Sequence, residues 1–292
     1  MCRVLLPDGA GHETAYISRP ARDGSGGRPE RCHREDPARP VRARRHCAHR
    51  TAARGREGSG QFAPELYSAR MSENASTRLA GIEAEIAKAC QVARRKPEEV
   101  NLIAISKTHP AEAIEELILA GQRAFGENRV QEAQYKWPDL KARHPDVELH
   151  LVGQLQSNKA DDAVALFDCV HSLDRPSLVK ALAKAMEKSG RSIPCFIQVN
   201  IGAEDQKGGC AVADLPQLLE QARDAGLQVV GLMCVPPAGL EAAPFFALLA
   251  KLAQNHGLER LSMGMSTDFE TACLLGATEV RVGTALFGAR EN

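Results

Sequence analysis

Two absences bound this sequence from the start. No apolar run approaches the ~20 residues that a membrane-spanning helix needs, so no helical span is expected. None of the nine cysteines forms a CxxC pair, and no metal site is expected. Cys169, Cys195, Cys234 and Cys273 sit in apolar runs instead, as small buried hydrophobes do, which points to a reducing, cytoplasmic setting. A third absence is local. The first 70 residues hold no lysine, against fourteen arginines and eight acids. The whole chain balances 37 basic against 37 acidic residues, so this segment carries +6 and the remainder −6.

That opening segment also lacks any apolar period of 2 or 3.6, as in GSGGRPERCHREDPARPVRARRHCAHR. It cannot bury enough surface to offset its chain entropy. Residues 1–70 are therefore expected to be a disordered, Arg-rich extension. Eight acids argue against a transit peptide, and VLLP is too short for a secretory core. Met71, opening MSENASTRLAGIEAEI, reads as the natural start. An over-extended reading frame is thus favoured over a genuine basic arm. Nucleic-acid binding would rest on that arm alone.

The body, 71–292, is organised differently. A helical period begins near Ser76, the expected cap, with Leu79, Ile82, Ile86, Ala89 and Val92 on one face. Short apolar runs then alternate with amphipathic stretches. The runs are 101–106, 124–126, 148–153, 169–172, 194–200, 228–235, 261–265 and 279–283; helices are expected at 111–120, 128–142, 157–167, 176–189, 212–225, 244–255 and 267–275. Eight strand–helix units imply an α/β protein, a single closed (β/α)8 TIM barrel. A doubly wound open sheet is the structural alternative.

Barrel chemistry sits at the C-terminal ends of strands. These ends carry Lys107, Asn128, Gln154, His171, Asn200, Ser262 to Ser266, and Arg281 to Thr284. LSMGMSTDFE and EVRVGTALFGAR close the last two units, where barrel enzymes often bind phosphate. Serine and threonine hydroxyls with glycine N–H groups suit a dianion; a plain helix cap with packing glycines is the bland rival. Arg281 interrupts an apolar strand, so it needs an acceptor, either an internal carboxylate such as Glu127 or a ligand nitrogen. Lys107 closes the first strand as a solvated charge or a nucleophile. A lysine, a phosphate clamp and a buried arginine together suit pyridoxal 5'-phosphate (PLP).

SKTHP, FGENRVQE, LVGQLQSNK, IQVNIGAEDQKGG, GLMCVPP, LSMGMSTDFE and VRVGTALFGAR resemble the successive motifs of the YggS-type pyridoxal-phosphate homeostasis proteins. The resemblance spans about residues 75–290. It implies a fold-type III barrel of the alanine racemase N-terminal type, without a C-terminal β-domain. By that resemblance Lys107 would carry PLP as an aldimine, Asn128 would lie near the ring, and Arg281 would face the pyridine nitrogen. Ser262, Ser266, Gly283 and Thr284, with backbone around Met263 and Gly264, would hold the phosphate. Lys207 matches a family lysine of secondary cofactor handling; a solvated loop lysine is an equal reading. Gln154 and Arg129 stand where many relatives carry histidine and tyrosine.

No catalytic residue is expected. An arginine at the pyridine nitrogen leaves that nitrogen unprotonated, a weak electron sink. A racemase also needs a second acid/base, and the body has one tyrosine, Tyr135, on an expected helix. The chain ends right after the barrel. The expected function is intracellular PLP homeostasis by a monomer that holds PLP and hands it to apo PLP-dependent enzymes. A PLP-dependent amino-acid racemase and a cofactor-free Schiff-base barrel enzyme are the alternatives.

Overall fold

The computed structural model describes residues 74–288; the arm expected over 1–70 lies outside them. Helix α1 (Ala75–Val92) comes first. Its cap is Asn74 rather than the expected Ser76. The Asn74 Oδ1 accepts from Thr77 N–H at 2.9 Å, the bond an N-cap side chain makes to the third helical residue.

Eight strands follow: β1 (Asn101–Ile105), β2 (Ala124–Glu127), β3 (Glu148–Leu151), β4 (Cys169–Leu173), β5 (Cys195–Gln198), β6 (Val229–Met233), β7 (Arg260–Met265) and β8 (Glu279–Val282). They close into a parallel barrel in chain order. Closure pairs β1 with β8, Ile103 opposite Arg281 and Ala104 opposite Val282. Between and after the strands run α2 (Ala111–Leu119), α3 (Val130–Arg143), α4 (Ala160–Leu166), α5 (Pro176–Ser189), α6 (Leu215–Asp224), α7 (Ala243–Asn255), α8 (Phe269–Leu274) and α9 (Thr284–Phe287). The open-sheet alternative is excluded by the β1–β8 pairing.

Strand side chains alternate between two faces. Leu102, Ala104, Phe125, Leu149, Leu151, Val170, Ile197, Leu232, Met263, Val280 and Val282 join the large core shared with the helices. Cys169, Phe196 and Met233 form a separate small cluster. It shares the barrel interior with His150, His171, Ser262, Glu279 and Arg281, all buried. Lower in that interior Arg260 lies over the Phe196 ring, 5.2 Å from its centroid, and pairs with Glu279. The six cysteines among the described residues are free and buried. No helix among these residues is long and apolar enough to cross a membrane.

Helix α8 is shorter than expected. Asp268 Oδ1 accepts from Met265 N–H at 2.6 Å, which folds 266–268 into a turn and delays the helix to Phe269. Gly264 (φ +91°), one residue before the end of β7, is in the left-handed region, and a Cβ there would lie 2.6 Å from that of Ala272. Its missing side chain brings α8 against the strand end.

Candidate functional site

At the C-terminal mouth lies a cavity of about 390 Å³. It is lined by Lys107 and His109 after β1, Asn128 after β2, Met265 and Ser266 after β7, and Arg281, Gly283 and Thr284 from β8 onward, with Ile105, Val152, Val235 and Gly288. Six of the nine residues expected to bind the cofactor thus meet in one cavity. A wider groove of about 630 Å³ opens at the opposite end, lined by Glu98, Asn101, Gln122, Arg123, Asp146 and Glu148 among others. It gathers no comparable set of strand-end groups, and that face of a barrel ordinarily serves stability.

Lys107 is held by its neighbours rather than through its own amine. Among the described residues no hydrogen bond or ion pair involves the Lys107 side chain. The turn beside it is tied to α3. Thr108 has φ +64°, and its N–H donates to Glu132 Oε1 at 2.5 Å. Lys136 Nζ donates to the carbonyls of Ser106 (3.0 Å) and His109 (3.3 Å). Burial opposes ionisation of Glu132, but Thr108 N–H and Lys136 outweigh it and lower the pKa of the carboxyl.

Beneath that turn Glu127 is fully buried on the helix side of β2. Its Oε1 accepts from Ser106 Oγ (2.7 Å) and Trp137 Nε1 (3.0 Å), and pairs with Lys136 Nζ at 2.8 Å. Glu127 therefore cannot be the acceptor for Arg281. Asn128 owes its position to Gly153, where a Cβ would lie 2.7 Å from Asn128 Cα and overlap its carbonyl oxygen.

Arg281 is 5% exposed. Its Nη1 donates to Ser262 Oγ at 2.6 Å and Nη2 to the Cys234 carbonyl at 2.8 Å. No carboxylate among the described residues forms an ion pair with it. Burial pulls its pKa down, with the charge retained, as guanidinium groups retain theirs. Across the mouth, Ser266 Oγ accepts from Gly283 N–H at 3.3 Å. Gly283 also precedes α9, whose first N–H groups have no intrahelical acceptor.

The alanine racemase N-terminal domain family matches residues 77–291. A pyridoxal phosphate homeostasis protein of Pseudomonas aeruginosa is 42% identical over 221 residues, 73% of this chain and 94% of that protein. The chain belongs to the pyridoxal phosphate homeostasis protein family. PipY of Synechococcus elongatus, solved without PLP, is 42% identical, with a TM-score of 0.65 over 73% of this chain and 99% of its own. PipY solved with PLP bound is 41% identical, with a TM-score of 0.64, covering 73% and 100%.

Three residues that the family resemblance marked for phosphate stand outside the cavity lining. Ser262 is buried and engaged by Arg281 and His171. Met263 faces the helices, because the strand alternation turns it away from Ser262. Gly264 meets α8. Lys207 is also outside the lining; its Nζ donates to the Pro236 carbonyl at 2.9 Å and pairs with Glu204 at 2.7 Å. Gln154 donates to Gln198 Oε1 at 2.8 Å. The reading of residues alone missed His109 as a lining group, although SKTHP contains it. The ring of His109 stacks on Phe287, centroids 4.3 Å apart.

Proposed function

We propose that the chain binds PLP in the β7–β8–β1 cavity and serves its homeostasis as a monomeric carrier. The observation that carries this reading is the pairing of Lys107 with a buried guanidinium, Arg281, on the wall of one 390 Å³ cavity. The donor set fits the group. PLP supplies an aldehyde that condenses with a primary amine, a basic ring nitrogen and a dianionic phosphate. Lys107 offers the amine, Arg281 a donor that stays charged, and Ser266, Gly283 and Thr284 the hydroxyl and N–H groups for the phosphate. Asn128 borders the ring. Ser262, Met263 and Gly264 take part through the strand they build. We assign this function to residues 71–292 and none of it to residues 1–70.

Carriage is favoured over catalysis on the same residues. A guanidinium gives the ring nitrogen no proton. Tyr135, the one tyrosine among the described residues, is 89% exposed on α3 and far from a role at the cavity. His109 is the one other titratable group in the lining, and Phe287 covers a face of its ring. Apo PLP-dependent enzymes are the recipients that this reading implies, within the cytoplasm.

The test is the visible absorbance of the purified chain before and after borohydride, with Lys107→Ala beside it. A chromophore lost on reduction, with the label mapped to Lys107, supports the reading. A protein left colourless after incubation with PLP would overturn it and return the cofactor-free barrel enzyme. Solvent deuterium entering Cα of added amino acids would instead establish the racemase.

A further inference from the structure

A line of buried polar groups runs down the barrel interior from the cavity. Arg281 Nη1 contacts Ser262 Oγ at 2.6 Å. Ser262 Oγ lies 2.8 Å from His171 Nδ1, and His171 Nε2 lies 3.0 Å from His150 Nδ1. His150 Nε2 faces Glu148 Oε2 at 3.5 Å, beyond hydrogen-bond length. Glu148 belongs to the groove at the opposite mouth. The His171 ring is fixed laterally by stacking on Phe196, centroids 4.3 Å apart.

The direction of every bond in this line follows from its arginine end. Arginine only donates, so Ser262 Oγ accepts from it; among the described residues the Ser262 hydrogen finds no other acceptor than His171 Nδ1 and turns to it. His171 then carries its hydrogen on Nε2 and donates to His150 Nδ1. His150 is left with its hydrogen on Nε2, on the side of the more distant Glu148 carboxylate. The same polarity runs through both imidazoles, each with its hydrogen on Nε2.

We propose that Ser262, His171 and His150 are positioning residues, a one-directional hydrogen-bond chain that aims the Arg281 guanidinium into the cavity. The proposal rests on the PLP reading for what the guanidinium meets there. The chain fixes one Nη group, the Cys234 carbonyl fixes the other, and the planar fork then has a single orientation. Ser262 thereby acts on the cofactor through Arg281. A rival use of the same residues is a metal site, since His150, Cys169 and His171 bring ligand atoms within 4.8 Å of one another. Burial raises the pKa of the Cys169 thiol well above the usual range, so an incoming ion would first have to displace its proton. A divalent ion would also sit close to Arg281.

The chain and its effect are tested separately in the full-length protein. Imidazole ¹⁵N spectra without cofactor are expected to show Nε2–H tautomers for both His171 and His150, altered at His171 in Ser262→Ala. Any other pattern overturns the chain, as does stoichiometric zinc in the purified protein. In PLP titrations, Ser262→Ala and His171→Gln should each weaken affinity about 10- to 100-fold, the worth of one bond to a charged group. Each should also shift the absorbance maximum. The double variant should be little worse than either single, and Ser262→Thr, which keeps the hydroxyl, should stay within about twofold. Additive losses, or an unshifted maximum in folded single variants, overturn the positioning role. Absence of a Lys107 adduct in the unaltered protein would sink the PLP reading alone, since the ¹⁵N spectra judge the chain without cofactor.

Discussion

Glu132 holds Thr108 in a left-handed turn. The Thr108 N–H reaches Glu132 Oε1 at 2.5 Å while its φ stands at +64°. A β-branched residue in that region costs about 1–2 kcal/mol, so the turn needs outside support. It lies one residue beyond Lys107, and its support comes from α3, an element with no residue of its own in the cavity lining. Replacing the carboxylate, Glu132→Ala, should lower stability by about 1–2 kcal/mol, read as a shift in the urea midpoint. The yield of borohydride-trapped cofactor on Lys107 should fall with it. Glu132→Gln retains the acceptor and should recover most of both.

Glu127 provides a second handle on the same loop. Its Oε1 meets Ser106, Trp137 and Lys136. Glu127→Gln keeps two of these bonds but strips Lys136 of a buried counter-charge, at about 1–3 kcal/mol. Trp137 is the chain's single tryptophan, so its emission reports this site alone. The emission maximum is expected to move in Glu127→Gln and to stay put in Glu132→Gln.

Gly153 is a spacing residue for the site. A Cβ there overlaps the Asn128 backbone, and backbone yields less readily than a side-chain tip. Gly153→Ala should cost about 1–3 kcal/mol through overpacking and displace Asn128 from the cavity wall. The expected result is a folded barrel with weaker PLP binding, measured by titration beside circular dichroism. An unchanged affinity would show that Asn128 has no part in holding the ring.

The apo protein should lose stability as pH falls below neutrality. Burial first, then the nearby charges of Arg281 and Arg260, hold the His171 pKa well below 6.5. The unfolded chain protonates this histidine near ~6.5, while the folded one keeps it neutral. Below that pH the unfolded state binds the extra proton, so stability declines from about pH 7 to pH 5. Urea midpoints at the two pH values should differ less in His171→Gln than in the unaltered protein.

The barrel was legible in the sequence because parallel strands are buried on both faces and read as short apolar runs. That Lys107, Asn128, Ser266 and Arg281 gather at one barrel mouth was legible for the converse reason, as polar groups at or near the ends of such runs. The contacts between runs were not. Ser262 and His171 belong to β7 and β4, which are not neighbours in the sheet and meet only across the barrel interior. Strand alternation says that both face inward, yet nothing in the order of residues pairs them. Glu127 posed the same difficulty. It was a candidate partner for Arg281, but β2 turns it toward α3.

The cysteines of the barrel turn its packing into a clock. Burial pushes the thiols of Cys195, Cys210, Cys234 and Cys273 up to about 12, and thiolate is the form that attacks. An alkylating reagent would therefore meet them only in moments when the wall around them parts. They are spread over β5, the loop beyond it, the residue after β6 and α8. The order in which mass spectrometry finds them labelled would give the sequence in which the staves of the barrel come loose.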